Sequence, residues 1–343
     1  MYNLYIEEEN ISGDDNMNFF RGRSDVAVEI AETNASRDFQ GIKKTEFSNK
    51  GIDVTRIDIL SDRASEILQK DKGRYITINL KNSFVDDSVF ENAVETVASE
   101  ISSVIKDLIG KDDFSAIIVG LGNVDLTSDA IGPDTIKGIL VTKHIRENLP
   151  QVYDSMRFNS VTAISPGVLG QTGIESSVIV KAVCGEVKPD IVILIDSLAS
   201  HYPEKLCGTV QISDTGISPG SGVGNSREKL NFSTIGVPVM TIGVPTVVDT
   251  VTLTGNVIYQ ILEKLRDGTD KSELSIYDNL SSAWNESTAD ILKRKISETS
   301  LDFIVTPKDI DCLVKKVSHL LSISLNKALH NNISQEDINA LLN

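Results

Sequence analysis

No stretch of this sequence approaches the roughly 18 uncharged apolar residues that a membrane-spanning helix requires, so no span is expected. Cysteine is scarce. Cys184, Cys207 and Cys312 lie far apart, with no CxxC pair and no Cys/His spacing of a zinc site. Neither a disulfide framework nor a structural zinc is therefore expected, and all three read as reduced thiols in or near the core. Positive charge is short as well: 33 Lys and Arg face 49 Asp and Glu, a net charge of −16, and no basic run interrupts that excess. An acidic surface repels phosphate backbones, so nucleic acid is not expected as a direct partner. The amino terminus, MYNLYIEEENISGDDN, lacks a basic region followed by an apolar stretch and does not read as a secretory leader. The expected location is the cytoplasm.

What is present is an ordinary globular composition, 40% hydrophobic and 24% charged over 343 residues, enough for one large α/β domain or two smaller ones. Residues 1–20 stand apart. They are rich in carboxylates, poor in periodic apolar positions and carry a turn-like Ser12-Gly13-Asp14-Asp15-Asn16, so they are expected to be mobile unless docked. Alternation at 52–60 and 74–80 predicts half-buried strands. A stripe of Val89, Phe90, Ala93, Val94, Val97, Ile101, Val104, Ile105 and Leu108 predicts a helix over 86–109, capped by Asp86 or Asp87.

From residue 115 the pattern is strand, helix, strand, helix. Apolar runs at 115–121 and 191–195 read as strands buried on both faces, with further strands at 159–164, 238–243 and 303–305. Helices are expected from about 128–133 to Asn148, near 173–186, from Asp249 to Arg266, and from Pro307 to about His330, where Thr306 and Pro307 fit a cap and first-turn proline. Residues 268–300, which hold the single Trp284, break the rhythm and predict an inserted helical excursion. The fold class is α/β: a mainly parallel twisted sheet with helices on both faces, plus smaller inserted elements.

In such a sheet, active sites gather beyond the carboxyl ends of the strands. Two of those ends carry an acid: the 115–121 strand leads into GLGNVDLTSDAIGP with Asp129, and the 191–195 strand ends in Asp196. If the two strands are neighbours, Asp129 and Asp196 share a cleft and cannot both ionise cheaply, an arrangement suited to hydrolysing a peptide bond. Spacing alone leaves Asp129 as a helix cap and Asp196 as a turn partner open. His201 follows five positions after Asp196 and is a candidate for orienting water or contacting substrate or metal. His144, His319 and His330 fall on predicted helices and read as surface or partly packed residues.

Other motifs fail on chemistry. Gly120-Leu121-Gly122 opens like a dinucleotide fingerprint, but Asp125 stands where the third glycine belongs. Gly216-Ile217-Ser218-Pro219-Gly220 matches a nucleophile elbow by letter, yet Pro219 has no N–H to give an oxyanion. The glycine-rich run 220–226 lacks the Gly-Lys-Ser/Thr ending of a phosphate loop. Its Gly220, Gly222, Gly224 and Asn225 are candidates for binding a peptide's backbone, with a purely structural loop as the alternative.

Several segments together resemble the spore germination protease family: Arg23-Ser24-Asp25-Val26-Ala27, GLGNVDLTSDAIGP (120–133), SPGVLGQTGIES (165–176), VILIDSLAS (192–200), DTGISPGSGVGNSRE (214–228) and IGVPTVVDT (242–250). Thr306-Pro307-Lys308 with its helix is similar to the family's carboxyl-terminal region. The resemblance implies an atypical aspartic endopeptidase, distantly similar in fold to the proteases that mature nickel–iron hydrogenases, acting without a cofactor on small acid-soluble spore proteins during germination. It places the family's two catalytic acids on Asp129 and Asp196. It also implies a self-processing zymogen, usually a homotetramer, in the forespore and spore core. Residues 1–20 then form the propeptide, cut somewhere in 8–20, and residues 21–343 a single protease domain with a variable helical insertion near 268–300. Thr45-Glu46-Phe47-Ser48 has the flavour of the family's cleavage site, but its flanks predict a sheet-adjacent turn and a chance match. Two further readings stay open: a hydrogenase-maturation-like, metal-dependent peptidase, and a non-catalytic nucleotide- or peptide-binding module.

Overall fold

The computed structural model describes residues 25–26, 41–156, 158–218, 228–266, 271–283, 291, 294–296, 298–299, 303–330, 333 and 338. The expected propeptide, 1–20, lies outside them. The strands are β1 (Ile42–Asn49), β2 (Ile52–Ile59), β3 (Gly73–Asn79), β4 (Ser115–Gly120), β5 (Ser160–Ile164), β6 (Ile191–Ala199), β7 (Thr209–Ser213), β8 (Val239–Asp249) and β9 (Ile304–Val305). They form one sheet in the order β1-β2-β3-β7-β8-β6-β4-β5, with β9 paired to β8. The four strands β5-β4-β6-β8 are parallel, and the remaining pairings are antiparallel.

The apolar runs explain the parallel half. In β4 and β6, Ile117, Val119, Val192 and Leu194 turn to one face and pack with Val180 and Cys184 of α7 (Ser176–Val187). Ile118, Ile193 and Ile195 turn to the other face, beneath α2 (Asp87–Ile109) and α11 (Ile310–Leu329). A third cluster joins α1 (Asp62–Leu68) to Ile57, Ile59 and Tyr75. The intervening helices are α3 (Ile131–Ile136), α4 (Lys143–Asn148), α5 (Pro150–Met156), α6 (Leu169–Thr172), α8 (Phe232–Ile235), α9 (Thr250–Arg266) and α10 (Lys271–Ala283). The α2 stripe buries Ala93, Val94, Val97, Ile101, Val104 and Ile105, and Asp86 is the cap, accepting from Ser88 N at 2.7 Å.

Six expectations need correcting. The helix expected from 128–133 to Asn148 is broken between α3 and α4, because Asn326 of α11 reaches in: it accepts from Leu140 N at 2.9 Å and donates to Gly138 O at 2.8 Å. The 191–195 strand runs on to Ala199, since β8 also continues and pairs with it, so Asp196 lies inside the strand rather than at its end. Thr45–Ser48 is the middle of β1, bonded across to Asp53–Thr55 and its neighbours, and not a turn. Helix α11 starts at Ile310, three residues beyond Pro307, with Asp309 at its cap. Cys312 is exposed; only Cys184 and Cys207 are buried.

His330 is the sixth correction. It is 1% exposed, its Nε2 bonds Leu140 O at 3.1 Å, and its ring lies 4.8 Å from that of Phe158. Burial pushes its pKa down from the ordinary 6.5 to about 4. Above pH 6.5 neither the folded nor the unfolded chain is protonated there. As pH falls from 6.5 towards 4 the unfolded chain takes the proton first, and about 3 kcal/mol of stability is lost across that window. The melting temperature of His330→Gln should therefore fall less between pH 7 and pH 4.5 than that of the wild type. Parallel falls would remove His330 as the source of acid sensitivity.

Candidate active site

Strand β4 ends at Gly120, and the next residue crosses to β6: Leu121 N donates to Ile195 O at 2.8 Å. The chain then turns back on itself at two glycines. Gly122 has φ +113°, and a Cβ there would lie 2.0 Å from Asp129 O. Gly132, in the first turn of α3, presses on both strand ends; its Cβ would meet Leu121 O at 2.3 Å and Ile195 O at 2.6 Å. No other residue type fits either approach.

Within the loop so formed, residues Thr127–Asp129 make a single 3-10 turn. One carboxylate oxygen of Asp129, Oδ2, accepts from Asn123 N at 2.8 Å, closing the loop on itself. Thr246 of β8, fully buried, donates through Oγ1 to Ser128 O at 2.6 Å, which ties the turn to the sheet. Gln171 of α6 bridges Asn123 Oδ1 at 2.6 Å and Asp125 Oδ2 at 2.9 Å, so the SPGVLGQTGIES segment holds the outer rim.

Asp196 is 5% exposed, and its Oδ1 accepts from Ser197 N at 2.9 Å. Register places β4 and β6 side by side, with Gly120 opposite Ile195. Asp129 and Asp196 consequently line the same cavity, of about 550 Å³, together with Asp125, Thr246, Ser197 and Asp311. Its far wall, Ile304, Thr306 and Ile310, comes from β9 and the start of α11. The volume is that of an ordinary small-ligand or peptide-subsite cleft. Four carboxylates and no Lys or Arg are among its described lining residues.

His201 is not among the residues lining this cavity. It is 6% exposed, its carbonyl accepts from Asn256 Nδ2, and its ring meets Tyr202 edge-on at 6.5 Å. Gly220, Gly222, Gly224 and Asn225 lie outside the described residues. Ser218, just before them, lines a second, polar cavity of about 270 Å³ that shares Leu198 with the first. Among the described residues no group of three or more His, Cys, Asp and Glu is placed to hold a metal ion. A thiol nucleophile is also poorly served, because burial pushes Cys184 up to about 11 and Cys207 up to about 12.

The sequence reading passed over Thr246, Ser197 and Asp25. Asp25 is 9% exposed and joins the end of β6: its N donates to Ala199 O at 3.0 Å, and its Oδ2 accepts from Ala199 N at 3.1 Å. Lys70 Nζ and Gln211 Nε2 hold its carbonyl, at 2.9 and 3.2 Å. The available signal was a polar residue inside an otherwise apolar strand, as with Thr246, or inside a short motif far from the rest, as with Asp25.

Comparison with known proteins identifies a family. A family profile described as Germination protease matches residues 23–285. A germination protease of Caldanaerobacter subterraneus subsp. tengcongensis is 40% identical over 321 residues, covering 93% of this chain and 98% of that one. One from Clostridium tetani is 38% identical, covering 94% and 99%, and one from Bacillus subtilis is 34% identical, covering 92% and 95%. Among solved structures, the [NiFe] hydrogenase maturation protease HycI from Thermococcus kodakarensis KOD1 is 19% identical, with a TM-score of 0.26, over 47% of this chain and 99% of that one. By the matched profile and by relatives aligned along nearly its whole length, the chain is a peptidase that belongs to the germination protease family.

Proposed function

We propose that the chain is an endopeptidase that begins the degradation of small acid-soluble spore proteins during germination, using Asp129 and Asp196 as an acid–base pair. The observation that carries this reading is that both carboxyl groups line one cavity at the carboxyl ends of the parallel strands. Two ionised carboxylates in one cleft are costly, so one retains a proton. The ionised partner takes a proton from water as it attacks the scissile carbonyl; the protonated partner donates to the carbonyl oxygen, and a proton then passes to the leaving amine. These steps call for no metal.

The enzyme is made as a zymogen that removes part of residues 1–20 from itself and assembles as a homotetramer in the spore core. The burial of Asp25 and Val26 against the end of β6 supports this reading, because a segment kept in the mature enzyme is expected to be packed. Gly220, Gly222, Gly224 and Asn225 contribute to holding the substrate, while His201, buried outside the cavity, does not touch it.

Incubating the purified enzyme with a purified small acid-soluble spore protein, with and without exhaustive chelation, tests the reading by mass spectrometry of the products. Endoproteolytic fragments in both samples are expected. Intact substrate throughout would overturn the proposed activity, and cleavage abolished by chelation would transfer the site to the metal-dependent class. Amino-terminal sequencing of the matured chain should begin within or just after residues 8–20.

A further inference from the structure

Strand β6 is paired with β8 along its length but with β4 only as far as Ile195. Backbone groups of a strand alternate between its two sides. Leu121 N bonding Ile195 O, and Asp25 bonding both groups of Ala199, fix the odd residues of β6 on the β4 side; Ser200 N bonding Val247 O fixes the even ones on the β8 side. The register shift near Ala199 leaves this alternation intact, since the extra residue, Thr246, belongs to β8.

Among the described residues, the edge that β4 covered is taken over beyond Ile195 by Asp25, and only at Ala199. Between the two closures lies Ser197, whose carbonyl turns to that edge and which lines the cavity beside Asp129 and Asp196. Its N–H already holds the Asp196 carboxylate, at 2.9 Å. Its hydroxyl is buried and has no hydrogen-bond partner among the described residues. A hydroxyl in that position is ordinarily matched by a partner of some kind.

We infer that the edge of β6 at Ser197, bounded by Leu121 and Asp25, is a strand-pairing slot for the main chain of an unfolded polypeptide substrate. This rests on the reading of Asp129 and Asp196 as the active site. The span from Ile195 to Ala199 is about 13 Å, enough for some four extended residues. A substrate N–H donates to the Ser197 carbonyl, and the Ser197 hydroxyl turns about its Cα–Cβ bond to donate to a substrate carbonyl. The peptide bond next to this pair then lies against Asp196. Recognition through main-chain groups explains how a single cleft reads an extended segment with little demand on side chains. Asp25 has a part in this as well, since it ends the slot and prevents the strand edge from running on.

Two experiments test the slot. The first is Ser197→Ala, assayed on the purified spore protein. Because the hydroxyl makes no bond among the described residues, the melting temperature should stay level or rise, while kcat/KM falls by about tenfold or more, chiefly through KM. An unchanged kcat/KM overturns the slot. So does a lower melting temperature accompanying the loss, which would make the hydroxyl part of the scaffold. The second uses a synthetic peptide spanning a cleaved bond, N-methylated at one position at a time, with binding to the Asp129→Asn enzyme measured by calorimetry. Pairing at Ser197 predicts an affinity loss of about tenfold or more at the one position whose N–H meets the Ser197 carbonyl, and little loss at its neighbours. A uniform loss, or none, overturns the slot. Because the second readout is binding, it stands even if the paired-acid chemistry fails, and that chemistry is judged separately by cleavage.

Discussion

Replacing either acid by its amide, Asp129→Asn or Asp196→Asn, should lower kcat/KM for a purified spore protein by about 10²–10⁴-fold while leaving the protein folded. The size follows from the loss of a group that accepts or donates a proton in the transition state. The selectivity follows from the local bonding. An amide at position 196 would still offer an oxygen to Ser197 N, and one at position 129 an oxygen to Asn123 N, so the loop and strand end keep their closures. A swap of oxygen for an amide nitrogen changes almost no volume, and the melting temperature should move little. Circular dichroism and the melting curve confirm the fold. An amide variant with an undiminished rate would place the chemistry elsewhere.

Gly132→Ala should cost the fold heavily. Its Cβ would fall 2.3 Å from Leu121 O and 2.6 Å from Ile195 O, and both are backbone atoms where β4 leaves the side of β6. Neither can rotate away, unlike the far end of a side chain. Relief requires α3 to lift off the sheet, which pulls on Asp129 three residues before it. A destabilisation of about 3 kcal/mol, at the upper end of core overpacking, is expected from denaturant titration, with a coupled loss of activity. A variant within about 0.5 kcal/mol of the wild type, the range of surface changes, would show that the strand ends yield readily.

The parts of this molecule that sequence made legible are those specified locally. Helix α2 shows its stripe because helical periodicity needs no distant partner, and Asp86 caps it from the preceding position. Strands β4 and β6 show as apolar runs because both their faces are covered. Strand β1 does not show, because most of IKKTEFSN is exposed and, among the described residues, only β2 pairs with it. Strand β7 is five residues, and its buried Gln211 and Ser213 are polar, so it resembles a loop until β3 and β8 flank it. The break between α3 and α4 is dictated by Asn326, nearly two hundred positions onward, and no local pattern announces it.

The candidate site divides along the same line. Asp196 follows a run of apolar strand residues, and Asp129 follows a glycine-flanked loop, so both were visible as acids where an α/β sheet keeps its chemistry. Their surroundings were not. Thr246 reaches Ser128 across 118 positions, and Asp25 reaches Ala199 across 174. Such contacts exist only once the sheet has assembled. Ser197 was hidden for a different reason: its part depends on where β4 stops covering β6, which register decides and composition does not.

A double-variant cycle on one substrate puts the proton-sharing pair to its most direct trial. The rates needed are kcat/KM for the wild type, Asp129→Asn, Asp196→Asn and the two changes together, on the same purified spore protein. If the two carboxyls work as one unit, the double variant is about as slow as the slower single one, because the first substitution already disables the pair. Losses that multiply, or one single variant cleaving at the wild-type rate, would contradict it.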